Sequence, residues 1–279
     1  MAKSANKLKN FEHQGFVIAP LYYEFVKWVD KEEAKYADNN PIFASMRSGE
    51  PILTAAEELL WLGVRKKSKG AKIWRPLWVN RNVSKLLHTP NVEKYLVLEG
   101  IEKNKPFTML DSGYFGTIPG EFAERGYKLR SLNIAIQNQT DDLCDGIELR
   151  GFLNESGDEG RGLMSMEIFC DDKIVGPHVE MCASFIEQIP HLHQVYGPFY
   201  RSGDGAGPIL SKCTGKQLAQ HQHFQTGFKE GINLCAASDK RACKGRLEDY
   251  LGVIRASAKI CDFPGKIEGC CDAVREIYS

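Results

Sequence analysis

Residues 107–119, FTMLDSGYFGTIP, gather groups able to hold an anion. An apolar run ends in Asp111, glycines follow at 113 and 116, and Thr117 opens a helical pattern. Backbone N–H groups at such a turn, and at the helix N-terminus behind it, point outward and bind phosphate. Gly113 and Gly116 admit close approach of the anion or a positive φ. Thr117 can cap the helix or give its hydroxyl to the anion. Asp111 falls at the carboxyl end of a strand, where open α/β sheets bind their ligands. The segment matches neither the GK[ST] phosphate loop nor the GxGxxG dinucleotide fingerprint. Asp-Ser-Gly is also a common turn and Thr117 an ordinary N-cap, so the segment alone leaves both readings open.

A second strand-to-helix turn lies some sixty residues earlier, in PIFASM-RSGEP-ILTAAEELL. Arg47 there can grip a phosphate through its planar fork, or be a solvated turn residue. If both turns end strands of one sheet, they can lie side by side and suit a ligand with two separated phosphate groups.

The elements that would position these turns alternate. Short apolar or alternating runs at 41–46, 73–80, 107–110 and 129–136 read as strands, the second weakened by Pro76. Helical patterns lie between them at 52–63, 83–87 and 92–98, and another starts at 118. Such alternation predicts a mostly parallel sheet covered by helices. Ahead of it, Leu21, Phe25, Trp28 and Val29 form a helical stripe, while the polar first fifteen residues are expected to fray. Behind it come strand patterns at 147–153 and 163–169, then helices at 179–189, 215–234, 247–260 and 266–278. The Gly/Pro-rich stretch 196–208 reads as a loop. The expected organisation is an α/β core at 41–175 between an N-terminal helical segment, 1–40, and a mainly helical C-terminal region, 176–279.

The 36 basic and 36 acidic side chains cancel, which argues against a broad nucleic-acid footprint. The opening MAKSANKLKNFEHQG has no apolar run, and no stretch approaches a membrane span, so the cytoplasm is the expected compartment. Nine cysteines include no CxxC pair, so reduced, packed thiols are expected rather than a zinc or dithiol site. His178-Val179-Glu180 lacks the PCxxC that a zinc deaminase needs, and the HxH pairs at 191–193 and 221–223 lack a third ligand at set spacing. The basic run Arg65, Lys66, Lys67 and Lys69 reads as a solvated loop. Its other reading is steering of an anionic donor or of a membrane-bound, diphosphate-linked acceptor.

The order strand–RSGEP–helix, strand–DSGYFGT–helix resembles the type I phosphoribosyltransferase fold. More closely, the chain is similar to the phosphoribosyltransferase-like domains that accompany HAD-type phosphatases in bacterial capsule and O-antigen gene clusters. Those carry a GPLL…F…W N-terminal helix, an ARDG turn, a vSR strand end and a DIGWxGT-IQ loop. Here stand IAPLYYEFVKWV, ASMRSGEP, WVNR ending at Arg81, and LDSGYFGTIP; FIEQIPHLHQVYGP resembles their Glu…Pro-His stretch. The similarity spans residues 15–210. Ser48 replaces an Asp, Tyr114 a Trp and Pro119 a Gln, and the usual acidic pair is Leu110-Asp111.

The resemblance implies transfer of 5-phosphoribosyl from phosphoribosyl pyrophosphate (PRPP) to a sugar hydroxyl in polysaccharide biosynthesis, with inversion and release of pyrophosphate. A sugar or lipid-linked glycan is the implied acceptor, and a partner HAD-type phosphatase would remove the 5-phosphate. The implied donor site is Arg47, Ser48, Gly49, Arg81, Asp111, Ser112, Gly113, Tyr114, Phe115, Gly116 and Thr117. Mg²⁺, with Asp111 as its protein ligand, and Arg47 would neutralise the leaving diphosphate. A sugar hydroxyl calls for a general base, and the candidates are Asp111, Glu187 and His191. Two other expectations stay open. One is a nucleobase phosphoribosyltransferase, with IQNQT supplying base readers. The other is a catalytically silent PRPP-fold binding domain.

Overall fold

A computed structural model describes residues 2–36, 40–45, 49–65, 73–79, 81–114, 116–137, 147–155, 199–202, 205–208, 215–239, 245–258 and 267–279. The strand expected at 163–169 and the helix expected at 179–189 lie outside them.

Five strands form an all-parallel sheet: β1 (Ile42–Ser45), β2 (Trp74–Leu77), β3 (Phe107–Tyr114), β4 (Leu129–Gln137) and β5 (Ile147–Glu155). Their order is β2-β1-β3-β4-β5, so the chain reverses its direction of travel between β1 and β3. Pro76 is tolerated because β2 is an edge strand. β3 outruns its expected end at residue 110. Gly113 pairs with Ala135 and Tyr114 with Ile136, so the ladder to β4 keeps extended a stretch that its composition marks as a turn.

Helices cover both faces, as a parallel sheet requires. On one face, α3 (Arg81–Ser84), α4 (Pro90–Glu99) and α5 (Thr117–Glu124) cover Phe43, Phe107 and Met109. On the other lie α1 (Ala2–Glu33) and α2 (Glu50–Trp61), backed by α6 (Gly215–Ser238), α7 (Arg246–Ala258) and α8 (Ile267–Tyr278). That second core joins the N- and C-terminal helices to Ile42, Leu110 and Leu132 of the sheet. The stretch expected as a loop at 196–208 instead contains an antiparallel hairpin, β6 (Phe199–Ser202) and β7 (Gly205–Pro208). Two residues join its strands, a hairpin spacing that the Gly/Pro composition hides.

The N-terminal residues do not fray as expected, and α1 passes through Pro20 without ending. Packing against α6 explains both departures, since Phe11, Gln14, Phe16 and Val17 are all buried. The two helices cross at small residues. A methyl on Gly15 would strike the Phe224 carbonyl, and one on Gly227 would strike the Glu12 carbonyl. Pro20 cannot donate to the Phe16 carbonyl. That oxygen faces Gly231, where an added methyl would come within 2.8 Å of it.

At its far end α1 is tied to the sheet by ions. Thr108, Arg130 and Glu148 stand level on three neighbouring strands. The Arg130 guanidinium donates to Glu33 at 2.9 Å, and Thr108 donates to the same carboxylate oxygen at 3.0 Å. Arg130 also lies over the Tyr36 ring, and Tyr36 donates to Glu148. Glu32 pairs with Arg150 at 2.9 Å. Burial pushes the Glu148 carboxyl up, but hydrogen bonds from Tyr36 and Arg130 and the charge of Arg150 outweigh it and hold its pKa below the ordinary value.

Two outcomes are expected. Gly227→Ala should lower the unfolding free energy in urea by roughly 1–3 kcal/mol, because two helix backbones must separate. Glu148 binds its proton more weakly folded than unfolded, so its contribution is present above the carboxylate range and lost as pH falls through it. The wild-type urea midpoint should therefore drop more than that of Glu148→Gln between about pH 6 and pH 3.

Candidate functional site

The two turns singled out in the sequence end neighbouring strands. β1 meets β3 with Ala44 opposite Leu110, so Ser45 and Asp111, the next residues, are level. Asp111 in turn lies opposite Asn133 of β4. The result is a polar row, Ser45–Asp111–Asn133, across three strands whose other inward positions are mostly apolar. Alternation puts the row on the face that α5 covers. All three are buried, Asp111 at 8 % exposure and the other two almost completely. Ser45 donates to the Val79 carbonyl at 3.1 Å, which fixes the end of β1 to the chain leaving β2. The Asn133 amide donates to Ser131 Oγ at 3.1 Å.

The β1–α2 connection is tight. Gly49 donates its N–H to the Ser45 carbonyl at 2.6 Å, closing the chain over the strand end within four residues. A methyl at Gly49 would meet the Ser45 carbonyl and come within 2.8 Å of the Ala44 side chain. Glycine is needed there for close approach, since its φ is an ordinary −82°. Arg47 and Ser48, inside this connection, lie outside the described residues.

The β3–α5 connection is as short. Ser112, Gly113 and Tyr114 belong to β3, Phe115 lies outside the described residues, and Gly116 is the N-cap of α5 with φ 62°. Thr117 is therefore the first helical residue and not the cap expected, and no side chain caps the helix. A helix start leaves its first N–H groups without internal partners. Pro119 in the first turn has no N–H, which leaves those of Gly116, Thr117 and Ile118 facing the sheet's carboxyl edge. Arg81 opens α3 just beyond β2, on that same edge. Glu187 and His191 lie outside the described residues.

Helix α6 flanks the edge from the opposite face. His221 Nε2 meets Glu50, the first residue of α2, at 2.8 Å, and the Gln225 amide donates to the same oxygen at 3.2 Å. His223 turns instead to Glu12, so the 221–223 pair diverges and does not share a ligand. Among the described residues no three His, Cys, Asp or Glu side chains are set to hold a metal. Cys235, Cys270 and Cys271 are buried free thiols. Burial pushes the Cys271 thiol up to about 12, against the pull of Arg275, which keeps it protonated and inert.

Ser45 and Asn133 were missed in the sequence, as was the Glu50–His221–Gln225 cluster. The first two carried a signal, a polar residue at the inward phase of otherwise apolar strands. The cluster carried none, because it joins positions some 170 residues apart.

Among the described residues, the polar row offers one carboxylate, Asp111, with neutral hydroxyl and amide oxygens beside it. That fits Mg²⁺ held mainly by a ligand's phosphates, since Mg²⁺ keeps several waters and uses one or two carboxylates. No protein-family model matches the chain, and no curated protein matches it.

Gly116→Ala is expected to cost about 1–2 kcal/mol in thermal or urea unfolding, from the left-handed backbone alone. Its added methyl meets only the Leu149 side chain, at ordinary contact distance. Thr117→Ala, at an exposed position with no capping bond, should stay within about 0.5 kcal/mol.

Proposed function

We propose that the carboxyl edge of the sheet binds PRPP at the seam between β1 and β3, and that the protein transfers its 5-phosphoribosyl group to a sugar hydroxyl. One observation carries the reading: two short glycine-bearing strand-to-helix turns end adjacent parallel strands at the point where the strand order reverses. Open α/β sheets bind ligands at such a point. The N–H groups at the start of α5 suit the 5-phosphate, and the Ser45–Gly49 connection suits the diphosphate. In the sequence Arg47 falls between Ser45 and Gly49, and Arg81 follows β2 as the first residue of α3.

Asp111 lies between the two phosphate positions, with Ser45 and Asn133 level on either side. Its carboxylate would hold the ribose hydroxyls and favour positive charge developing at the anomeric carbon. The acceptor oxygen bonds to that carbon as the bond to diphosphate breaks. The hydroxyl proton passes to a base, for which Asp111, Glu187 and His191 stay the candidates. Mg²⁺, when bound, supplies charge neutralisation to the leaving diphosphate.

A second reading, PRPP binding without transfer, is favoured by Leu110. It stands where the resembled family has an acid, and it is fully buried in the core beneath α1 and α2. Calorimetric titration with PRPP and Mg²⁺, followed by a pyrophosphate-release assay with sugar acceptors, separates the readings. Binding is expected, weakened at least about tenfold by Asp111→Asn, together with release of pyrophosphate. Binding without release favours the silent domain, and no binding overturns both.

A further inference from the structure

Glu50, the first residue of α2, is held more firmly than a helix start requires. An acid in a first turn is favoured by the helix macrodipole alone. Glu50 nevertheless takes two donors from another helix on one carboxylate oxygen, His221 Nε2 at 2.8 Å and the Gln225 amide at 3.2 Å. To serve that oxygen, Gln225 turns its own side-chain oxygen away, where it is buried with no hydrogen-bond partner among the described residues. A buried acceptor left unmet is costly, so the contact with Glu50 is made against a penalty elsewhere in the same side chain.

The position of this carboxylate gives the arrangement its meaning. Glu50 follows directly on Gly49, whose N–H closes the chain leaving β1 onto the Ser45 carbonyl. Side chains of a helix lean toward its N-terminus, so that of Glu50 leans back toward this connection. It is 26 % exposed and the His221 side chain 21 %, so water screens the carboxylate only in part. An ionised carboxylate there repels an anion at the end of β1. Donors gathered on its oxygen offset that repulsion from the side of α6.

We propose that His221, with Gln225, masks the Glu50 carboxylate so that the adjoining end of β1 can receive an anion, which makes His221 a positioning residue for the diphosphate of PRPP. This role rests on the PRPP site proposed above. His221 acts through the charge it offsets and not by touching the ligand. Further along the same two helices Lys229 meets Glu58 at 2.7 Å, which keeps α6 against α2 when His221 is changed.

The test is calorimetric titration of the whole chain with PRPP and Mg²⁺, at low and high salt, for the wild type and four variants, each checked by a circular-dichroism melt. His221→Ala should weaken binding at least about fivefold at low salt, with a smaller loss at high salt, because it uncovers the Glu50 charge. His221→Gln keeps a nitrogen donor toward Glu50 and should bind within about twofold of the wild type. Glu50→Gln removes the charge and should bind at least as tightly as the wild type. Adding Glu50→Gln to His221→Ala should restore binding to within about twofold. A role confined to packing would show neither the rescue nor the salt dependence. A wild type that binds no PRPP overturns the reading of the edge and this role with it. A wild type that binds, with His221→Ala binding equally well, overturns this role alone, as does a loss in His221→Ala that Glu50→Gln does not relieve. If His221→Ala does not fold, Glu50→Gln decides, and binding weaker than the wild type overturns the role.

Discussion

The pairing of Arg130 with Glu33 is the constraint on which the arrangement of layers depends. Both side chains are more than nine-tenths buried, and their N···O distance is 2.9 Å. A buried charge without its partner costs several kcal/mol. Sliding α1 one turn along the sheet would separate the pair and would strip Thr108 of the same carboxylate. The pair therefore fixes where the 32-residue helix lies on the sheet. From α1 the register passes to α6 through the glycine contacts at Gly15, Gly227 and Gly231, where the backbones meet too closely to slide. From α6 it passes to α2, because His221 and Gln225 meet Glu50 and Lys229 meets Glu58.

This order gives the sheet two polar ends of opposite character. At its amino edge, charged side chains are mutually satisfied: Glu32, Glu33 and Glu148 are matched by Lys35, Arg130 and Arg150, and Tyr36 donates to Glu148, which together hold α1. Toward its carboxyl edge, the Ser45–Asp111–Asn133 row contains one carboxylate between a hydroxyl and an amide, on the face that α5 covers. The first end is built to stay shut. The second is the end at which we propose that the ligand binds.

Most of the sheet was legible in the sequence because its strands are apolar runs bounded by turn residues. β1, β4 and the start of β3 fall where alternation and composition put them. The end of β3 was not legible, because Asp111-Ser112-Gly113 resembles a turn and only pairing with Ala135 and Ile136 keeps it extended. The start of α1 was hidden for a similar reason. Its first turns are polar, and the burial that begins at Phe11 comes from packing against α6, more than two hundred residues away. The spacing of Gly227 and Gly231, four apart within one helix, was the available hint of a close crossing. Of the site, the first turn was legible from Gly49, and of the second only Gly116 was, since Asp111, Ser112 and Gly113 belong to the strand. Their adjacency was legible only as a possibility of parallel topology, and the polar row appears only once the strand register is known.

The most direct test of the central claim is a crystal structure of the protein grown with PRPP and Mg²⁺. The account predicts electron density for the 5-phosphate at the N–H groups of Gly116, Thr117 and Ile118, density for the diphosphate at the Ser45–Gly49 connection, and the ribose beside Asp111. Density for the ligand anywhere else on the molecule, or a carboxyl edge left empty at saturating ligand, would contradict it.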